Sequence, residues 1–300
     1  MKQQKLRIIK EEKLASDCIY QELFTSKDIY VERYSYPHKK IQLEVLIFAG
    51  LNILPASKYF GYFPFNLCKE IQANVSVIYE PGCGPKFNHY FRRFAQKEAE
   101  EQYFAGFELL KNFKGKVIIF SHSASTIEHF KLIFEDKYKN FSEGLHIAGG
   151  IIAGSVTNIV VELKKLWPNY KFLNWKNIIQ STGPFNIALP MYPYYHKKWH
   201  AKYSPMRHLS VWINLRSIEF LLGTNVKQII LSGKKSDYPL LLFICKHDKI
   251  FSPRLQEILV KFISKNAEAY INKCDCEHNL FVSDGTFGIL QSIKEYLNKI

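Results

Sequence analysis

No stretch of the 300-residue sequence stays apolar for the ~18 residues that a membrane-spanning helix needs. The first ten residues, Met1-Lys-Gln-Gln-Lys-Leu-Arg-Ile-Ile-Lys10, lack the apolar centre of a secretory signal. The six cysteines, Cys18, Cys68, Cys83, Cys245, Cys274 and Cys276, are too few and too scattered to form a disulfide scaffold. Together these absences predict a reducing, cytoplasmic setting. There is also no run of five like charges, although the formal net charge is +14. The densest basic clusters are doublets: Lys39-Lys40, Arg92-Arg93, Lys164-Lys165, Lys197-Lys198 and Lys234-Lys235. That pattern reads as a lysine-rich solvated surface. Nucleic acid is not an expected partner, while weak attraction to an anionic membrane surface stays open. The sequence has no internal repeat and no low-complexity tract, and it does not indicate an oligomeric state.

The sequence does hold enough apolar residues, 47% of the chain, to bury one large core or two modest ones. Residues 1–26 are charged and loosely amphipathic, and predict a helix or an extended lead-in. Residues 28–36 and 41–48 read as two strands, paired as an edge hairpin around Pro37-His38-Lys39-Lys40. Further strands are expected at 75–79, 117–120, 145–155, 238–246 and 269–273. Helices are expected around 65–73, 91–112, from about 125, from Pro253 and from about 285. Ser252 before Pro253 is a helix-start signal, a capping residue followed by proline at the first helical position. Strands alternating with helices imply an α/β fold with a mostly parallel central sheet and helices on both faces.

The alternation stops between 157 and 237. This stretch carries all four tryptophans (Trp167, Trp175, Trp199, Trp212) and five prolines. It is too long to be a structureless loop, so it reads as an inserted lid with its own helices. The expected division is therefore a core of residues 1–156 and 238–300, with a lid at 157–237. The lid aromatics form its own core or line an apolar pocket; both readings stay open.

The chemistry centres on Lys116-Val-Ile-Ile-Phe-Ser-His-Ser-Ala-Ser-Thr126. Four apolar residues form a buried strand, and small residues then stand at 121, 123 and 125 before a helical stretch. A strand turning directly into a helix strains the residue at its apex and projects that side chain from the sheet edge. Ser123 is that residue. Asp248 and His278 follow two later strands and should reach the same edge. A serine hydroxyl needs an imidazole to take its proton, and a carboxylate to orient the imidazole. His122, next to the apex, reads as a packing residue. Asp237 precedes its strand and so falls at the opposite end. Cys274, Cys276 and His278 are three potential metal ligands without a spaced fourth, so neither a metal nor another cofactor is expected.

These motifs resemble the α/β-hydrolases, in particular the lidded monoacylglycerol-lipase and lysophospholipase-like group. Ser121-His-Ser-Ala-Ser125 resembles the elbow Gly-His-Ser-x-Gly, with serine in both glycine positions. Lys246-His-Asp-Lys-Ile-Phe-Ser-Pro253 resembles the acid loop, and Glu277-His-Asn-Leu-Phe281 the histidine loop. Pro81-Gly-Cys-Gly84 resembles the Gly-x-Gly turn after the fourth strand. Phe48-Ala-Gly-Leu-Asn52 stands where the oxyanion loop belongs, with Ala49 in place of the usual histidine. The spacings suit the fold: 248 − 123 = 125 residues hold a helix, a strand and a lid, and 278 − 248 = 30 hold a helix and a strand. The resemblance implies Ser123 as nucleophile, Asp248 as acid and His278 as base. The oxyanion hole would use the backbone N–H groups of Leu51 and Ala124.

The expected activity is a serine hydrolase acting on a small-molecule acyl substrate, a carboxylic ester with an apolar chain, without a cofactor. A thioesterase, an amidase or peptidase, and an acyltransferase would use the same three side chains. A non-catalytic binding protein of the same fold is the alternative from another class.

Overall fold

The computed structural model describes residues 6–37, 40–50, 60–82, 96–155, 188–190, 212–214, 235–248, 251–265, 271–276, 280–282 and 286–300. Among these, eleven strands run in chain order: β1 (Arg7–Lys13), β2 (Ile19–Phe24), β3 (Tyr30–Ser35), β4 (Leu43–Phe48), β5 (Asn74–Ile78), β6 (Lys116–His122), β7 (His146–Ala153), β8 (Ala188–Pro190), β9 (Trp212–Asn214), β10 (Leu240–Cys245) and β11 (Ile271–Cys274). The helices are α1 (Phe63–Ile71), α2 (Gln96–Leu109), α3 (Thr126–Phe134), α4 (Asp136–Phe141), α5 (Pro253–Ile263) and α6 (Thr286–Leu297). Nine of the strands form one sheet, ordered β1-β2-β3-β5-β4-β6-β7-β10-β11. From β5 to β11 every neighbouring pair is parallel, and β1, β2 and β3 add an antiparallel flank.

The apolar runs are buried on both faces because helices cover both. Val45 and Ile47 of β4, Ile118 and Phe120 of β6, and Leu241 and Phe243 of β10 face one side. There they meet Phe63 and Leu67 of α1 and Ile289, Ile293 and Tyr296 of α6. The alternate residues, Leu46, Phe48, Val117 and Ile119, face Tyr103 and Phe107 of α2 and Leu132 of α3. Leu240, Leu242 and Ile244 of β10 face Phe130 of α3 and Leu259, Val260 and Ile263 of α5. The two-residue period of each strand thus divides one sheet between two half-cores.

One open alternative is decided and one expectation fails. Residues 1–26 hold no α-helix among their described members; they are extended, as the antiparallel hairpin β1–β2 with a single 3-10 turn at Ala15–Asp17 between the strands. Every residue of β1 is exposed, so it lacks the apolar alternation that marks a strand in a sequence. The strands over 28–36 and 41–48 form, as β3 and β4, but they do not pair. β5 lies between them, antiparallel to β3 and parallel to β4. A polar contact spans the three strands in this order. Arg33 of β3 donates to Ser76 Oγ of β5 at 2.9 Å and to Glu44 Oε2 of β4 at 2.9 Å, while Ser76 Oγ donates to Glu44 Oε1 at 2.9 Å. Glu44 is fully buried, and this closed triangle supplies the partners its charge requires.

Most of the stretch 157–237 lies outside the described residues, including its expected helices. Its described members include a two-stranded antiparallel pair, β8 with β9. Among the described residues no helix is long and apolar enough to cross a membrane.

Candidate functional site

The site is built at the carboxyl edge of the parallel strands. β6 ends at His122, and Ser123–Ser125 form a single 3-10 turn that runs straight into α3. This abrupt change leaves Ser123 with a φ of 57°, in the left-handed region that a non-glycine residue rarely occupies. Such a conformation costs on the order of 1 kcal/mol and persists only where the surroundings enforce it. The flanks do so. Ser121, His122, Ala124 and Ser125 are all buried, while Ser123 itself is only half-buried. The serine therefore stands up from a rigid, closely packed turn.

The chain leaving β4 presses against that turn. A Cβ placed on Gly50 would lie 2.6 Å from His122 O, 2.7 Å from Ser123 Cβ and 3.1 Å from Ala124 N. Only glycine fits there. Gln102 of α2, fully buried, donates from Nε2 to Ala49 O at 2.9 Å and to Ile78 O at 2.8 Å. Its amide thus locks the ends of β4 and β5 together, supported by Ala49 N–H donating to Ile78 O at 3.0 Å. Of the two expected oxyanion donors, Ala124 is described and lies against Gly50, while Leu51 lies outside the described residues.

Beneath the turn runs a buried polar network. Tyr103 OH lies 2.7 Å from Ser121 Oγ and donates to Ser125 O at 2.9 Å. Ser121 Oγ is also 2.8 Å from His129 Nδ1. A carbonyl only accepts, so the single Tyr103 proton goes to Ser125 O, and Ser121 must donate to Tyr103. The Ser121 oxygen then accepts from His129 Nδ1–H, which leaves Nε2 unprotonated, 3.4 Å from Tyr238 OH. Burial lowers the His129 pKa to about 3, so the ring is neutral near pH 7. His129 is thereby part of the support and not an exposed base. His122 is likewise fully buried, with its ring edge-on to Phe281, as the packing reading expects.

Asp248 follows β10, two strands along from β6 on the same edge. It is 6% exposed. Its Oδ1 accepts the Phe251 N–H at 2.9 Å, and its Oδ2 accepts Gln256 Nε2 at 3.2 Å. Gln256, fully buried on α5, also donates to Phe251 O at 3.1 Å and accepts the Ser155 N–H at 3.2 Å. One amide thus fastens the acid loop to the end of β7. Asp237, before β10, instead pairs with Lys265 at 2.9 Å on the surface.

His278 lies outside the described residues. The chain approaching it is fixed to the acid loop: Lys246 N–H donates to Cys274 O at 2.9 Å, and His247 N–H to Cys276 O at 3.0 Å. Cys276 precedes His278 by two residues. Among the described residues, no group of three His, Cys, Asp or Glu side chains is arranged to hold a metal. Gln102, Gln256, Tyr103 and His129 were not legible as site residues, because their partners lie far away in sequence; the one available hint was polar residues on otherwise apolar helix faces.

No protein-family model matches the chain, and no curated protein matches it. Solved structures do. A soluble variant of monoglyceride lipase from Saccharomyces cerevisiae, in complex with a substrate analog, superposes with a TM-score of 0.65 at 12% identity, covering 99% of this chain and 97% of its own. A putative hydrolase from Agrobacterium vitis S4 gives 0.61 at 11% identity, covering 98% of each chain. The Pyrococcus furiosus esterase Pf2001 gives 0.54 at 12% identity, covering 99% of this chain and 93% of its own. With its six parallel strands, its antiparallel flank and these superpositions over nearly the whole length, the chain has the α/β-hydrolase fold.

Proposed function

We propose that the protein is a serine hydrolase that cleaves a carboxylic ester through an acyl-enzyme on Ser123. The observation that carries the reading is the strained, half-buried Ser123, raised on a strand–turn–helix whose neighbours are all buried. In the proposed mechanism His278 takes the hydroxyl proton as Ser123 Oγ attacks the acyl carbon, and Asp248 orients and stabilises the resulting imidazolium. Two donors among the described residues, Phe251 N–H and Gln256 Nε2, fit the Asp248 carboxylate for holding a fixed direction. The Ala124 and Leu51 N–H groups stabilise the tetrahedral oxyanion. His278 then returns the proton to the leaving alkoxide, and water activated by the same imidazole releases the acid.

The ester and the apolar acyl chain are supported by two things: the names of the structural neighbours, a monoglyceride lipase and esterases, and the aromatic composition of residues 157–237. A p-nitrophenyl ester series of increasing acyl length, run beside the matching thioesters and amides, tests the reading. Turnover should favour the oxygen esters, rise beyond the acetyl ester and fall about 10⁶-fold in Ser123→Ala. A preference for the acetyl ester counts against the apolar pocket. Unchanged turnover in the alanine variant removes Ser123 from the chemistry.

A further inference from the structure

The elbow carries serine at two positions where the pattern it resembles carries glycine, and both hydroxyls are used. Ser125 is the informative one. It is fully buried, so it cannot touch a substrate. Its Oγ accepts the His122 N–H at 3.0 Å and stands 2.7 Å from Phe48 O and 2.9 Å from His122 O. The hydroxyl has one proton, and the shorter contact assigns it to Phe48 O. Phe48 is the last residue of β4, and Ala49-Gly50 continue from it against the elbow. The Ser125 hydroxyl is therefore a polar tie between the elbow and the strand end from which the oxyanion loop departs. Glycine at this position would supply neither the donor nor the acceptor.

We infer that Ser125 is a positioning residue that fixes the elbow, and with it the Ala124 N–H of the oxyanion hole, relative to the end of β4 at Phe48–Gly50. The inference rests on Ser123 being the nucleophile. Oxyanion donors act only when they lie about 2.7–3.1 Å from the charge that develops in the transition state. A small change in spacing should therefore weaken transition-state binding and leave ground-state binding of the ester almost untouched. Two neighbours hold the same frame from other directions: Tyr103 OH fixes Ser125 O, and Gln102 Nε2 fixes Ala49 O. The β4–β6 ladder ends at Phe48 and Ser121, and the Ser125 hydroxyl extends that attachment past the strand ends to the turn itself.

Ser125→Gly and Ser125→Ala test this in the full-length chain. With p-nitrophenyl butyrate, kcat should fall about 10- to 100-fold while KM stays within about threefold, since a misaimed donor costs no more than a deleted one. The inhibition constant of an alkyl trifluoromethyl ketone, whose adduct with Ser123 places an oxyanion in the hole, should rise by the same factor as kcat falls. Folded variants with wild-type kcat and wild-type ketone affinity overturn the inference; equal losses in kcat and substrate affinity do so as well. Endpoint labelling by a fluorophosphonate separates the two claims. Variants that still label at Ser123 leave the nucleophile reading intact whatever their kcat, and a wild-type protein that does not label overturns both. If neither variant folds, amide hydrogen exchange on the wild type decides. The His122 N–H, bonded to Ser125 Oγ, should exchange as slowly as the β6 core; exchange at the rate of an unbonded amide means that Oγ does not stand where it reaches Phe48 O, and overturns the tie.

Discussion

Ser121 Oγ lies 2.8 Å from His129 Nδ1, with both residues fully buried beneath the Ser123 turn. Protonating the ring at Nε2 would keep the Nδ1–H bond but bury a positive charge, and no described side chain offers it a counter-charge within hydrogen-bond reach. Its pKa is about 3 in the folded chain, against roughly 6.5 when unfolded. The unfolded chain therefore binds the extra proton first, and the stability tied to neutral His129 is present above pH ~6.5 and lost as pH falls toward 3. The slope is at most about 1.4 kcal/mol per pH unit. His129→Asn, which keeps an N–H for Ser121 but does not titrate, should flatten urea-derived stability by up to one proton between about pH 6 and pH 4. An unchanged slope assigns the acid sensitivity to other groups.

Gly50→Ala should damage the site. The added methyl would meet His122 O and Ser123 Cβ, so either β4 or the elbow must move. Overpacking of this kind costs about 1–3 kcal/mol. Denaturant unfolding should show that loss, and ester turnover should fall by a larger factor than stability alone accounts for.

Gln256 holds Asp248, and its replacements should be graded. Gln256→Leu removes a donor from Asp248 Oδ2 and the acceptor used by Ser155 N–H, at a cost of about 1–3 kcal/mol. Gln256→Glu sets a second carboxylate against the first and should lower kcat further than leucine does. Turnover at saturating ester reads the difference; equal kcat in both variants would show that the carboxylate is fixed without Gln256.

The polar triangle across the three strands is testable on stability alone. Arg33→Met leaves buried Glu44 without its cation, and breaking a buried pair from one side costs about 3 kcal/mol. Replacing Arg33 and Glu44 together with apolar residues should recover much of that loss. A single variant as stable as wild type would mean that the triangle contributes nothing.

The parts of the fold legible in the sequence are those whose signal is local. The apolar runs of β4, β6 and β10 announce buried parallel strands, and Ser252-Pro253 marks the start of α5 within a residue. Strand order is a different matter. β5 enters between β3 and β4, where Arg33, Ser76 and Glu44 meet across the three strands, and no pairwise spacing in the sequence records this. The β1–β2 hairpin was illegible because β1 is wet on both faces. At the candidate site, the strained turn at Ser123 and the place of Asp248 just past β10 were legible from motif and order. The supports were not, because Gln102, His129 and Gln256 read as ordinary helix residues until their strand partners are known. The serines in the glycine positions of the elbow read as departures from a pattern, yet each closes hydrogen bonds that a glycine would leave unmade.

The most direct test of the nucleophile is intact-mass spectrometry after treatment with an alkyl fluorophosphonate, followed by peptide mapping. Attack by Ser123 Oγ on phosphorus expels fluoride and leaves a stable phosphonyl ester. The prediction is one adduct per chain, located on Ser123 and absent from folded Ser123→Ala. No adduct on the folded wild type, or an adduct that persists in Ser123→Ala, would contradict the account.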